Sequence, residues 1–378
     1  MNMSVRFGRQ ETAVNRGLGV RTYRVLMVSL YLAASLWILL MWATDVRPFI
    51  GLNLFERARF LDLIYGRAHR PFVYRALVPW LVRGILAIVP QSLTYGLSEV
   101  LLDALPIVGR AADFLSWERQ HLPEYAVTLG LIYISIVGYL VALRWLARQC
   151  YDMSASGLPW LTDALPLLSL TVLPVFFKRG THFLYDLPAL FLFTLALACL
   201  RADRLRAYYA VYVIGLLNKE TMLFAGVVMA LWFAAQDGPR WRGRVMVHTI
   251  AHGALFAAVR LALMIIYRGN PGEPAEFRLL DNLIFYSYPY WFTAITSVGA
   301  VVLLIGHDWQ KKPLFLRLAL WLAVPFFGLY LVAGSWGEIR VFYELFPICY
   351  LLGVQTVAKI MGWPMTTRAE PVQPLPNP

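Results

Sequence analysis

Residues 62–83 read DLIYGRAHRPFVYRALVPWLVR. Asp62, Tyr65, Arg67, His69, Arg70, Tyr74 and Arg75 crowd into one short segment, and the chain then turns apolar from Ala76 to Trp80. Charge set against so much apolar sequence is costly in a bilayer, so such side chains face a cavity, a partner or the lipid headgroups. The stretch reads as an outer loop running back into a membrane. Similar intrusions recur far along the chain, at Tyr185-Asp186, at Asn218-Lys219-Glu220, and at Glu338, Arg340 and Glu344. The chain is expected to be arranged around these groups.

Composition points the same way. Of 378 residues, 59% are hydrophobic and 15% charged, with mean hydropathy +0.59. A soluble domain carries about 45–50% apolar and about 25% charged residues. Runs suited to a spanning helix, ~20 apolar residues, recur along the chain and favour one membrane domain over several soluble ones. The net charge of +12 sits mostly as Arg and Lys in short stretches between those runs. That distribution fits the positive-inside rule and anionic headgroups. It does not fit nucleic acid, because no basic helix or aromatic-basic module stands outside the runs. Cys150, Cys199 and Cys349 lie in or beside apolar runs, form no CxxC, and have the character of small buried hydrophobes. The first apolar run follows a polar arm and is expected to span rather than to be cleaved as a leader.

The arginines orient the chain. Residues 1–24 carry Arg6, Arg9, Arg16, Arg21 and Arg24 and read as a cytoplasmic arm. The run 25–43 leads out to Asp45, and 44–74 form the first outer loop. Within it, FERARFLDLIYGRA mixes Phe55, Leu61, Leu63 and Ile64 with charges, as a helix lying along the interface does. A short span, 75–89, contains Pro79 and is expected to kink there. Residues 97–115 hold Glu99, Asp103, Arg110 and Asp113, and suit either a weakly hydrophobic span or a pair of interfacial helices. The next clear span, 125–146, ends in Arg144 and Arg148, so 97–115 is counted as an outward crossing before it. The run 158–177 then goes out and 181–200 returns to Arg201, Arg204 and Arg206. Lys178 and Arg179 fall outside, against the trend, and suit an anionic ligand or a solvated turn alike.

Residues 205–236 are two apolar pieces broken at Asn218-Lys219-Glu220, with a second basic cluster following at Arg240, Arg242 and Arg244. Two short helices meeting at the break keep both basic clusters on one side. A run of ~13 helical residues reaches only ~20 Å, so the break is expected in a cavity below the outer surface. The run 245–267 crosses outward, and 268–289 is an outer loop rich in Pro, Gly and acids, able to cover a site. Residues 291–305 return to His307, Asp308, Lys311 and Lys312, 314–333 leave, and 341–360 come back. The expected architecture is all-α, a polytopic transmembrane bundle of about twelve membrane segments over 25–361. A Pro-rich cytoplasmic tail, 362–378, is expected to be disordered. No internal repeat of the transporter kind is visible.

This orientation, set from Arg and Lys clusters, brings Asp45, Asp62, Arg70, Arg75, Asp186, Glu220, Glu338, Arg340 and Glu344 toward the outer side. Carboxylates beside cations suit group transfer from a phosphate-linked donor, one taking the acceptor's proton and the other holding the departing phosphate. Plainer roles stand beside this one. Asp62 and Asp45 suit hydrated loop acids, and Arg70 and Arg75 suit snorkelling to headgroups. Lys219 and Glu220 suit a structural pair, Asp186 a helix cap before Pro188, and Arg340 with Glu344 a pair one helical turn apart. His69, His182, His248 and His252 make no metal-ligand set, and His248 with His252 suits helix packing. No metal or cofactor is implied, and no DxD, HExxH, Walker A or GxSxG motif occurs.

The ordered set D-x-x-Y…RPFVYRALVPWL, YDLPALFLFTLAL, LLNKETMLF and GEIRVFYELFPICYLL resembles bacterial multi-span glycosyltransferases of the GT-C type. The likeness spreads over most of the chain as short motifs. It implies a cell-envelope enzyme of the inner membrane that moves a sugar from a polyprenyl-phosphate carrier, at the periplasmic face, to a glycan, lipid or protein acceptor. By that resemblance Asp62 is the first candidate for the catalytic base and Asp45 the second. Arg70, Arg75, Lys219 and Arg340 would touch the donor phosphate. Asp186, Glu220, Glu338 and Glu344 would hold sugar hydroxyls or those cations, with Tyr74, Tyr185 and Asn218 completing the binding set. The chain lacks the large soluble outer domain of some members and the paired-acid motif of the metal-using ones. The alternative is a transporter or flippase of a lipid-linked or anionic solute, since transporter sites often lie at discontinuous helices.

Overall fold

In a backbone surrounded by apolar side chains every N–H and C=O must find a partner within the chain, and helices do this locally. The computed structural model describes residues 19–45, 56–115, 117–152, 160–177, 182–236, 241–275, 277–283, 291–334, 339–363 and 365–368, and these are overwhelmingly helical. The helices are α1 Val20–Asp45, α2 Phe60–Ile64, α3 Leu77–Ile88, α4 Gln91–Ala104, α5 Pro106–Phe114, α6 Leu122–Cys150, α7 Leu161–Val172 and α8 Asp186–Arg201. There follow α9 Leu205–Asn218, α10 Ala225–Gln236, α11 Trp241–Ile266, α12 Leu279–Leu283, α13 Trp291–Gly306, α14 Leu314–Ala319, α15 Ala323–Ala333 and α16 Phe346–Ile360.

Among the described residues, four stretches are long and apolar enough to cross a membrane: Arg21–Thr44, Arg119–Cys150, Trp241–Ile266 and Leu314–Ala333. The helices α3 and α4 make a fifth if that pair, bent by 100°, is one span. Shorter apolar helices occupy Leu161–Phe177, Glu220–Gln236, Ile295–Gly306 and Phe346–Ile360. Large apolar side chains such as Val25, Trp37, Ile250 and Leu303 stand on the outside. A surface of that kind suits lipid better than water.

Helix α6 is the hub, packed against α1, α3, α7 and α8, while α8 also packs on α9, α10 on α11, and α13 on α16. Gly138 of α6 lets α8 come close: a Cβ there would meet the Phe191 ring at 2.7 Å. The main core joins residues of α1, α6, α7, α8, α9, α10, α14 and α16 in one buried cluster.

Contacts sort the helix ends into two groups. One group is rich in Arg and Lys. There Asp163, before the second turn of α7, accepts from Tyr23 Oη at 2.9 Å, Arg144 Nε at 2.6 Å and Arg148 Nη2 at 2.8 Å. Gln149 donates to the Ala198 carbonyl, Lys359 pairs with Asp308, and Arg244 lies 3.8 Å from Asp203. The other group gathers the starts of α3, α6, α8 and α16 and the end of α9.

Three local expectations change. The segment 97–115 is not one helix: α4 and α5 break at Leu105, and Pro106 opens α5. Tyr95 of α4 donates to Glu124 at 3.0 Å, and Asp113 of α5 pairs with Arg119, so both helices lie beside the start of α6. This is the helix-pair form, and the acids that made the run a poor span stay out of the core. The helix in the first outer loop is short, and its apolar side chains are packed in protein rather than laid on an interface, with Phe60, Leu63 and Ile64 all buried. The first part of the C-terminal tail is ordered. Thr366–Thr367 pairs antiparallel with Tyr151–Asp152, and Met365 is buried, because that pairing supplies partners for backbone just past α6.

Candidate functional site

The break in 205–236 forms as the pattern predicts. Helix α9 ends at Asn218, Lys219 takes an extended conformation (φ −159°, ψ 134°), and a 3-10 turn, Glu220–Phe224, leads into α10. Both outer ends of this hairpin return to the basic group, since Arg201 lies over the Trp232 ring at 5.2 Å and Arg244 over Phe233 at 3.7 Å. The freed polar residues at the tip find partners far away in sequence.

Arg75, just before α3, grips Glu220 with two hydrogen bonds, Nη2 to Oε1 at 2.8 Å and Nε to Oε2 at 3.3 Å. The same guanidinium donates to the Tyr185 hydroxyl and lies 4.4 Å over its ring. Tyr185 is fully buried and stacks on Phe183, while its carbonyl accepts from Asn218 Nδ2 at 2.9 Å. Asp186, also fully buried, opens α8. Its Oδ2 accepts from the Phe183 N–H at 3.0 Å, upstream of the helix rather than in its first turn, so it does not cap α8 as expected, and it also faces Arg340 Nη1 at 3.4 Å. Arg340 sits over the Phe183 ring at 4.5 Å. Lys219 Nζ lies 3.0 Å from Glu344 Oε1, and Thr221 donates to the same oxygen.

Thus Arg75, Tyr185, Asp186, Asn218, Lys219, Glu220, Arg340 and Glu344 converge in one network. Asp186, Glu220 and Glu344 balance Arg75, Lys219 and Arg340. Such pairs repay their desolvation only with good geometry and further hydrogen bonds, and removing one partner leaves a buried charge. Arg340 and Glu344 do not pair with each other as their spacing predicts; each turns to a partner on another element. Asn218 Oδ1 and Glu344 Oε2 remain buried without a hydrogen-bond partner. Tyr74 is buried beside this network, with the Arg260 guanidinium 4.3 Å over its ring.

Asp62 and Arg70 belong to the neighbouring loop. The Asp62 carboxylate is part-exposed and lies 3.5 Å from Arg67 Nε, a loose pair. Its own carbonyl accepts from the Arg67 and Ala68 N–H groups at 2.6 and 3.0 Å, which fixes the turn. The Arg70 N–H donates to the Pro271 carbonyl at 2.8 Å, while its Nε is buried without a hydrogen-bond partner. The start of the 268–289 loop clamps this turn, as Asn270 Nδ2 donates to the Gly66 and Ala68 carbonyls at 2.9 Å each. Leu63, Ile64, Tyr74, Phe183 and Tyr185 share one buried cluster, so the Asp62 turn and the Arg75 network are packed on a common base. Glu338, Lys178, Arg179 and the Asp45 side chain lie outside the described residues.

One buried acid escaped the sequence reading. Glu124, in the first turn of α6, is fully buried and accepts from Tyr65 Oη, from Tyr95 Oη at 3.0 Å and from His121 Nδ1 at 3.2 Å. Burial, then the bond to Glu124, push the Tyr65 hydroxyl above its usual range. Its only sequence signal was a first-turn acid after Pro123. Among the described residues no group of three or more His, Cys, Asp or Glu is placed to hold a metal ion.

No protein-family model matches the chain, and no curated protein or solved structure matches it significantly. The fold and the site therefore define a class by themselves. It is a mostly helical chain with several helices long and apolar enough to span a membrane and a buried polar centre of paired charges where helix ends meet.

Proposed function

We propose that the chain is a membrane glycosyltransferase that moves a sugar from a polyprenyl-phosphate carrier to an acceptor hydroxyl. The observation that carries the reading is the convergence of Arg75, Asp186, Lys219, Glu220, Arg340 and Glu344 at one end of the bundle, beside the Asp62 turn. In this reading the basic helix ends lie in the cytoplasm and the polar centre opens toward the periplasm, in a bacterial inner membrane. Asp62, loosely held and part-exposed, takes the proton of the acceptor hydroxyl. The acceptor oxygen bonds to the anomeric carbon as the bond to the carrier phosphate breaks. Arg70, Arg75, Lys219 and Arg340 stabilise the departing phosphate, and the carboxylates that hold Arg75, Lys219 and Arg340 in the free protein turn to sugar hydroxyls.

The test is reconstitution with a panel of polyprenyl-phosphate sugars and detection of transferred sugar. Asp62→Asn should lower turnover by about 10²–10⁴-fold with little change in donor binding. Full transfer by that variant would remove Asp62 as the base. A second reading, transport of a lipid-linked or anionic solute, is favoured by the extended Lys219 between α9 and α10. Flux in proteoliposomes with no covalent product would replace the first reading by the second.

A further inference from the structure

The segment 201–206, RADRLR, joins α8 to α9 at the basic end of the bundle. The turn is very tight. Asp203 N–H donates to the Leu200 carbonyl at 3.1 Å and Arg204 N–H to the Cys199 carbonyl at 2.9 Å, with Asp203 in the left-handed region at φ 54°. Folding the chain back this sharply sets Arg204 and Arg206 beside Arg244 of α11. These three, with Asp203, Leu205 and Ala207, line an open cleft of about 500 Å³.

We propose that this cleft binds the headgroup of an anionic phospholipid. The inference is independent of the glycosyltransferase reading. Among the described residues that line the cleft, Arg204 and Arg206 stand beside one carboxylate, Asp203, which is 81% exposed and 3.8 Å from Arg244, a pair too loose to neutralise them. Helix α9 starts at the cleft with no side-chain cap on its first N–H groups, which adds donors and a positive helix end for a phosphate. The cations are backed by aromatic faces, Arg204 over Trp145 at 5.2 Å and Arg244 over Phe233 at 3.7 Å, so they are held in place. A free phosphate would use only the cleft. The flanking helices also leave Val247, Ile250 and Ile214 exposed, apolar surface that acyl chains match and a small anion does not.

Native mass spectrometry of the purified chain, with phosphatidylglycerol against phosphatidylcholine, tests the site. The chain should retain phosphatidylglycerol preferentially. Arg204→Ala, Arg206→Ala and Arg244→Ala together should weaken that retention on the order of a hundredfold, with phosphatidylcholine unaffected. Asp203→Asn removes the opposing charge at a position where Asn tolerates the left-handed backbone, and should strengthen retention. That gain also decides the matter if the triple variant fails to fold. Equal retention of the two lipids, or no change in either variant, would overturn the proposal. Displacement of phosphatidylglycerol by excess inorganic phosphate would overturn its lipid component.

Discussion

Arg75 carries the densest set of contacts in the polar centre: two bonds to Glu220, one to Tyr185, and the Tyr185 ring beneath it. Its loss strands a carboxylate in a low-dielectric surround. Arg75→Met should therefore destabilise the fold by about 3–5 kcal/mol, while Arg75→Met with Glu220→Leu should recover most of that loss. A double-mutant cycle on chemical unfolding in detergent checks this, and additive single effects would refute the coupling. Gly272 is a second sensitive position. Its φ is +91°, and a Cβ there would stand 2.7 Å from the Arg70 carbonyl oxygen. Gly272→Ala should cost about 1–3 kcal/mol locally and loosen the clamp on the Asp62 turn. Faster hydrogen exchange at residues 66–70, with the helices unchanged, is the expected readout.

At the scale of elements, two features set where the site lies. The first is the extended Lys219, which turns α9 back through α10 and frees the side chains of Asn218, Lys219 and Glu220 for partners on other elements. With 14 residues, α9 reaches only ~21 Å. The second is the close approach of α6 and α8, which aligns Asp186 at the start of α8 with the start of α3. Gly138 permits that approach. Gly138→Leu should force the helices apart and cost about 1–3 kcal/mol of stability. Phe191→Leu in the same chain should relieve much of it, because the clash is with that ring. Melting curves of the single and double variants check the pair; absence of relief would show that α6 and α8 separate for another reason.

At the scale of the molecule, the two groups of helix ends make a statement about sidedness. In the proposed orientation, Gln120→Cys should react with a membrane-impermeant maleimide from the periplasm. Gln310→Cys should react only after the inner membrane is opened, with Cys349→Ala as background. Labelling of both from one side would break the orientation on which the proposed function rests. The turn before α14, outside the spans, also sets a pH response. Lys312 is buried there, and its ammonium donates to the Leu352 carbonyl at 2.5 Å and Thr356 Oγ1 at 2.9 Å; among the described residues no carboxylate pairs with it directly, and Asp308 opposes the effect of burial only through space. Burial lowers its pKa from 10.5 to about 8. Between these values the unfolded chain holds a proton that the folded chain has lost, so stability rises with pH. The rise should be complete above pH ~10.5 and amount to at most ~3 kcal/mol. Lys312→Met should flatten that slope in melting experiments between pH 7.5 and about 10, and an unchanged slope would assign it to other groups.

The sequence by itself determined that the chain is mostly helical, with several helices long and apolar enough to span a membrane, because hydropathy is read locally. It also placed a break at Asn218-Lys219-Glu220, since polar residues inside an apolar run are costly on a lipid-facing helix. Pairing was another matter. Arg75 with Glu220, Thr221 with Glu344 and Arg340 with Asp186 lie 145, 123 and 154 positions apart, so only the packing of distant helices could choose them. The same packing turned Arg340 away from Glu344, folded 97–115 into two helices, and brought Tyr65 and Tyr95 onto Glu124. A buried charge takes whichever partner the tertiary structure brings within reach, and no one-dimensional spacing records that choice.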